Sequence, residues 1–126
     1  MRARILIVED DDASRDLLTR LLEVSGYRAD AAPDAAGAME ILRANPADLI
    51  LMDVRLPDED GCQLTRRLKQ DHSTRSIPVI ALTAHAMTGD RERCLEAGID
   101  EYETKPIDFP ILMQKIGKLL PTSAVH

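Results

Sequence analysis

Aromatic residues are scarce in this chain: two tyrosines, one phenylalanine and no tryptophan among 126 residues. Cysteine is scarcer still. Cys62 and Cys94 lack CxxC spacing and have no neighbouring ligand residues, which excludes a cysteine-based metal or dithiol motif. Both are expected to be free thiols of a reducing cytosol. No apolar run approaches the roughly 20 residues of a membrane span. No secretory signal opens the chain either, because Ile5-Leu6-Ile7-Val8 is too short and four acids follow it. Basic residues are in deficit, 16 Lys and Arg against 22 Asp and Glu, and the net charge of -6 excludes the basic stripe of a nucleic-acid binder. No Ser-His-Asp or Cys-His set is apparent, and His72 and His126 have no acid or base partner by sequence. Linkers, internal repeats and low-complexity segments are also missing. What is left is expected to be one soluble, cytosolic domain over residues 1–126. The tail Pro121 to His126 is too short for an output module.

What the chain does have is a regular alternation of strand and helix signals. Ile5 to Val8 reads as a strand buried on both faces. Asp12 is the expected N-cap of a helix carrying Leu17, Leu18, Leu21 and Leu22 inward and stopping at Gly26. Tyr27 to Ala31 is a weaker strand. Pro33-Asp34 opens a second helix with Ala35, Ala38, Met39 and Leu42 inward, ended by Asn45-Pro46. Leu49 to Met52 is another buried strand, and Leu64 and Leu68 mark the helix after it. A strand from Ile77 to Leu82, closed by Thr83, precedes a helix from about Met87 to Ala97. A short strand, Glu101 to Glu103, leads into a last helix carrying Leu112, Ile116 and Leu119, stopped by Pro121. Five such alternations predict a flavodoxin-like, doubly wound α/β fold: a five-stranded parallel sheet of order 2-1-3-4-5 wrapped by five helices. The purely apolar strands, starting at Ile5, Leu49 and Val79, take the central places.

The polar residues then fall at one edge. Glu9 and Asp10 follow the first strand, Asp53 the third, Thr83 the fourth and Lys105 the fifth, all at carboxyl ends. Ligands of open α/β sheets bind there, beside the point where strand order reverses. Three carboxylates held together repel unless a cation joins them. Oxygen-only donors in an incomplete cage suit Mg²⁺, and there is no EF-hand pattern to argue for calcium. Thr83 offers a hydroxyl and Lys105 a compact positive charge for phosphoryl oxygens. Together these groups are the parts of a phosphoryl-transfer site whose nucleophile is the Asp53 carboxylate itself, forming an acyl phosphate. Taken singly, each has a plainer role as turn former, cap, strand-end hydroxyl or surface lysine. Chance would scatter them over both edges.

Glu9-Asp10, Asp53 with Pro57 and Asp60-Gly61, Thr83-Ala84 and Lys105-Pro106 resemble the receiver domain of two-component response regulators over essentially the whole chain, a core from about Arg4 to Leu120. The stretch Ala81 to Met87, and on to Pro106, is similar to receivers of hybrid sensor kinases and to single-domain receivers of bacterial cell-cycle control. The resemblance implies that Asp53 accepts phosphate from a phosphohistidine of a histidine kinase or phosphotransfer protein. It implies Mg²⁺ bound by Asp10, Asp53 and the Arg55 carbonyl, with Glu9 acting mainly through water. Thr83 and Lys105 would hold phosphoryl oxygens, and the Lys105-Pro106 bond would be cis. It further implies a switch in which Thr83 moves inward and Tyr102 turns from exposed to buried, the alternative being a simple strand-edge tyrosine. Arg55 and His85, flanking the mouth of the site, either tune the lifetime of the acyl phosphate or are solvated loop residues. By analogy, the phosphodonor contacts helix one (Ser14, Arg15, Leu18) and the loop at Pro57, and a downstream protein contacts helix four, strand five and helix five. A monomer or weak dimer without nucleic-acid or membrane contact is expected.

Rivals are a metal-dependent aspartyl-phosphate phosphatase, a flavodoxin-like cofactor binder, and a receiver excised from a hybrid kinase. The phosphatase needs a second acid two residues after its nucleophile, where this chain has Arg55. A flavodoxin-like cradle needs Ser, Thr and Gly after the first strand, where this chain has four acids.

Overall fold

The computed structural model describes residues 2–84 and 88–120. Five strands, β1 (Arg4–Val8), β2 (Arg28–Ala32), β3 (Leu49–Asp53), β4 (Val79–Thr83) and β5 (Glu101–Thr104), alternate with five helices. The helices are α1 (Asp12–Val24), α2 (Ala35–Ala44), α3 (Gly61–Gln70), α4 (Thr88–Ala97) and α5 (Phe109–Leu119). The strands pair in parallel in the order β2-β1-β3-β4-β5. This is the expected doubly wound sheet.

Alternation along each central strand divides the core into two layers. Leu6, Val8, Ile50, Met52, Val79 and Ala81 face α2, α3 and α4. Ile5, Ile7, Leu49, Leu51, Ile80 and Leu82 face α1 and α5. Every residue of β3 and β4 is buried, which is why these strands read as unbroken apolar runs. β2 and β5 lie at the edges and are only partly covered, and their sequence signals are correspondingly weak.

Several expectations need correction. Asp11, not Asp12, caps α1: its side chain accepts from the Ser14 N–H at 2.8 Å, and Asp12 is already helical. Leu18 and Leu22 are the buried leucines of that helix, whereas Leu17 is 48% exposed at the flank of the stripe. β4 takes in Thr83 and begins at Val79, leaving Ile77 and Pro78 ahead of the strand, though the Pro78 carbonyl still accepts the Ile50 N–H at 2.9 Å. The side chains of Cys62 and Cys94, read apart in the sequence, are brought against each other between α3 and α4, Cα atoms 5.2 Å apart. The Lys105-Pro106 peptide is cis, as expected. Among the described residues no helix is long and apolar enough to cross a membrane. Met87, His85, His126 and the tail from Pro121 lie outside the described residues.

Candidate functional site

β3 ends at Asp53, and the register that pairs it with Leu82 holds its backbone firmly in the sheet. Its side chain is almost wholly buried, at 5% exposure for the residue. One carboxylate oxygen accepts the Arg55 N–H at 3.1 Å, and the other lies 3.5 Å from Lys105 Nζ. Lys105 arrives from the end of β5 and donates at 2.6 Å to Glu9 Oε1, which is buried at the end of β1. The second Glu9 oxygen accepts the Asp11 N–H at 3.2 Å. Asp10, the next residue, stands in solvent. Glu9, Asp10 and Asp53 each present an oxygen within 4.8 Å of the others.

These groups shift one another's protonation. Burial pushes the Glu9 carboxyl above its ordinary value; Lys105 opposes the shift, and the bond to Asp53 reinforces it. Burial alone would lower the Lys105 ammonium, but its bonds to Glu9 and the field of Asp53 leave it above its ordinary value. Lys105 is therefore a fixed positive charge between two acids. The carboxylates are under-neutralised, and their donor chemistry is oxygen-only with one exposed member. That combination fits Mg²⁺, which keeps several waters and prefers such partial cages.

The loop from β3 to α3 is shaped for close approach. Gly61 N–H donates to the Val54 carbonyl at 2.8 Å, and a Cβ on Gly61 would overlap the Asp53 carbonyl oxygen. Only glycine lets the loop return over the backbone of Asp53 in this way. Asp60 caps α3 through the Cys62 N–H at 2.7 Å and pairs with Arg93 of α4 at 2.5 Å. Asp58 reaches the other way, accepting the Ala35 and Ala36 N–H groups at 2.9 and 3.1 Å at the start of α2.

Asp53, Glu9, Asp10 and Lys105 are thus brought together as expected. Thr83 is buried at the end of β4, one residue beyond the partner of Asp53, and its carbonyl accepts the Lys105 N–H at 2.7 Å. The Arg55 side chain is exposed, in a cleft with Val54, Leu56, Asp60 and Arg93. His85 lies outside the described residues. Tyr102 is half-buried on β5, with the Arg91 guanidinium 5.9 Å from its ring centroid. Ser14, Leu17 and Leu18 of α1 face Pro106, Ile107 and Phe109 across an apolar groove of about 310 Å³ bordered by Glu9 and Lys105. Asp58 and the backbone contact of Gly61 were not foreseen as parts of the site. Only the turn signal at Asp60-Gly61 pointed there.

Comparison with known proteins agrees with this geometry. The family model described as the response regulator receiver domain matches residues 5–117. The polar-differentiation response regulator DivK of Brucella ovis is 40% identical over 120 residues, covering 95% of this chain and 98% of that protein. The receiver domain of a sensor histidine kinase from Pseudomonas aeruginosa PAO1, solved with a magnesium ion coordinated in its active-site cleft, superposes with a TM-score of 0.86. It is 36% identical and covers 94% of this chain and 98% of that one. Chemotaxis protein CheY4 of Vibrio cholerae, 21% identical, superposes with a TM-score of 0.90 over 95% of this chain and 100% of its own, a likeness of fold alone. Fold, sheet edge and sequence therefore converge, and this chain belongs to the response regulator receiver domain family.

Proposed function

We propose that this receiver accepts a phosphoryl group on Asp53 and uses it to switch a protein-binding surface. The observation that carries the reading is the Lys105 ammonium set between Glu9 and Asp53 at the buried edge of the sheet. An Asp53 oxygen attacks the phosphorus of a phosphohistidine on a kinase or phosphotransfer protein. The P–N bond breaks with its electron pair going to that nitrogen, and the imidazole leaves neutral, keeping the proton already on its other ring nitrogen. Lys105 and Thr83 hold the transferred phosphoryl oxygens, so that the chemistry is mostly positioning and charge stabilisation. Asp10, Asp53 and the Arg55 carbonyl hold Mg²⁺, with Glu9 acting through water. The ion, when bound, offsets the charge of the acids and of the incoming phosphoryl oxygens. The apolar groove beside Lys105 receives the donor protein. Inward movement of Thr83 draws Tyr102 from its half-buried place, and the surface of α4, β5 and α5 reports the change to a downstream protein. Arg55 and His85 tune the lifetime of the acyl phosphate.

Incubation with a small-molecule phosphodonor and Mg²⁺, followed by intact mass measurement, tests the reading. One added phosphoryl group is expected on the parent chain and none on Asp53→Asn. A parent that gains no mass, or an Asp53→Asn variant that gains the same mass, would refute it.

A further inference from the structure

Asp10 is the exposed member of the acid trio, and no bond to its carboxylate is found among the described residues. The direction in which the side chain leaves the chain, and the rotamers open to it, are therefore governed by its backbone. Arg15, one turn into α1, reaches back to that backbone: Nη1 donates to the Glu9 carbonyl at 3.0 Å and to the Asp10 carbonyl at 3.4 Å. These carbonyls belong to the two peptide planes on either side of the Asp10 Cα. Because each peptide is planar, a donor held on both restrains φ and ψ of the residue between them. Nη2 is held at 2.5 Å by Asp12, whose side chain is 91% exposed. An ion pair that open adds little stability; what it does is aim the guanidinium. Periodicity gives no hint of this, since Arg15 reads as a polar-face residue of α1.

We propose that Arg15 is a positioning residue that presets the Asp10 carboxylate towards Glu9 and Asp53, so that the trio closes on a divalent cation. The inference rests on the reading of that trio as a cation site. Charge and position predict opposite signs here. Acting only as a positive charge, Arg15 would repel the cation, and its removal would tighten binding. Acting through the two peptide planes, its removal loosens binding. Lysine keeps the charge but lacks the planar fork that lets one nitrogen grip carbonyls while the other is held by Asp12.

Calorimetric titration of Mg²⁺ into the unphosphorylated full chain, with no phosphodonor present, decides the matter. Arg15→Ala is expected to weaken binding by about 10-fold, the scale seen when groups that orient metal ligands are removed. Arg15→Lys is expected to weaken it less, and Asp10→Asn to abolish it. Thermal unfolding in chelator shows that each variant is folded, and Arg15→Lys carries the test if Arg15→Ala is not. Binding by both Arg15 variants as tight as the parent's, or tighter, overturns the inference and leaves the cation site standing. A parent that binds no Mg²⁺, or Asp10→Asn that binds like the parent, overturns the cation reading and the inference with it.

Discussion

At Glu9 two neighbours act in opposite directions. Burial and the nearby Asp53 raise its carboxyl pKa, while the Lys105 ammonium holds it down, and the upward pull wins. The folded chain therefore keeps this proton to higher pH than the unfolded chain, whose reference value is 4.5. Stability from this group is fully present below that value and is lost as pH rises through the folded pKa. The Lys105 contribution, also from a raised pKa, persists until far more alkaline pH and does not change in this window. In cation-free buffer, the urea midpoint of the parent should fall relative to Glu9→Gln as pH rises from about 4.5 to 7. Parallel profiles would show that the buried acid is not under strain of charge. Glu9 and Asp53 were legible as candidates because each follows an apolar run directly, whereas Lys105 follows the polar edge strand Glu101–Thr104 and stood out only through the Lys105-Pro106 pair. The role of Gly61 was legible only as a turn, since its contact with the Asp53 carbonyl exists only once the loop has folded back.

Helix ends show where local signals suffice and where they do not. Four consecutive acids after β1 offer the backbone several equivalent caps, and choosing Asp11 over Asp12 depends on how the chain leaves the sheet. The Cys62–Cys94 contact was illegible for a similar reason: the two residues are 32 apart and meet only because α3 packs on α4. Asp60 joins those same helices, capping one and pairing with Arg93 of the other. Asp60→Ala should cost about 1 kcal/mol for the cap, plus up to about 1 kcal/mol for a half-exposed pair. Asp60→Asn keeps a capping oxygen and should lose only the second part. Urea unfolding of the two variants and the parent checks the order. Equal losses would mean that the cap is not what Asp60 supplies.

On the scale of the whole molecule, strand order was legible because only fully covered strands can be purely apolar, which puts β1, β3 and β4 in the middle. The remainder depends on how edges and faces communicate. Tyr102 lies on edge strand β5, with Arg91 over its ring and Lys115 donating to its carbonyl at 2.9 Å. Arg55 is exposed in the loop after β3, away from that strand in sequence and in a cleft of its own with Leu56 and Asp60. Two variants should therefore fail differently. Tyr102→Ala should weaken binding of the phosphorylated form to its downstream protein, whereas Arg55→Ala should change the rate of dephosphorylation and leave that binding intact. Unaltered binding by Tyr102→Ala would remove it from the switch. The bond from Lys105 to Glu9 spans 96 positions, bringing the first strand's end to the last strand's end across β3 and β4. A chain still emerging from the ribosome, with β5 not yet in place, has no ammonium beside its acids. If Asp53 accepts a phosphoryl group as proposed, a half-made copy lacks the cation that would steady it, and competence waits on the last strand.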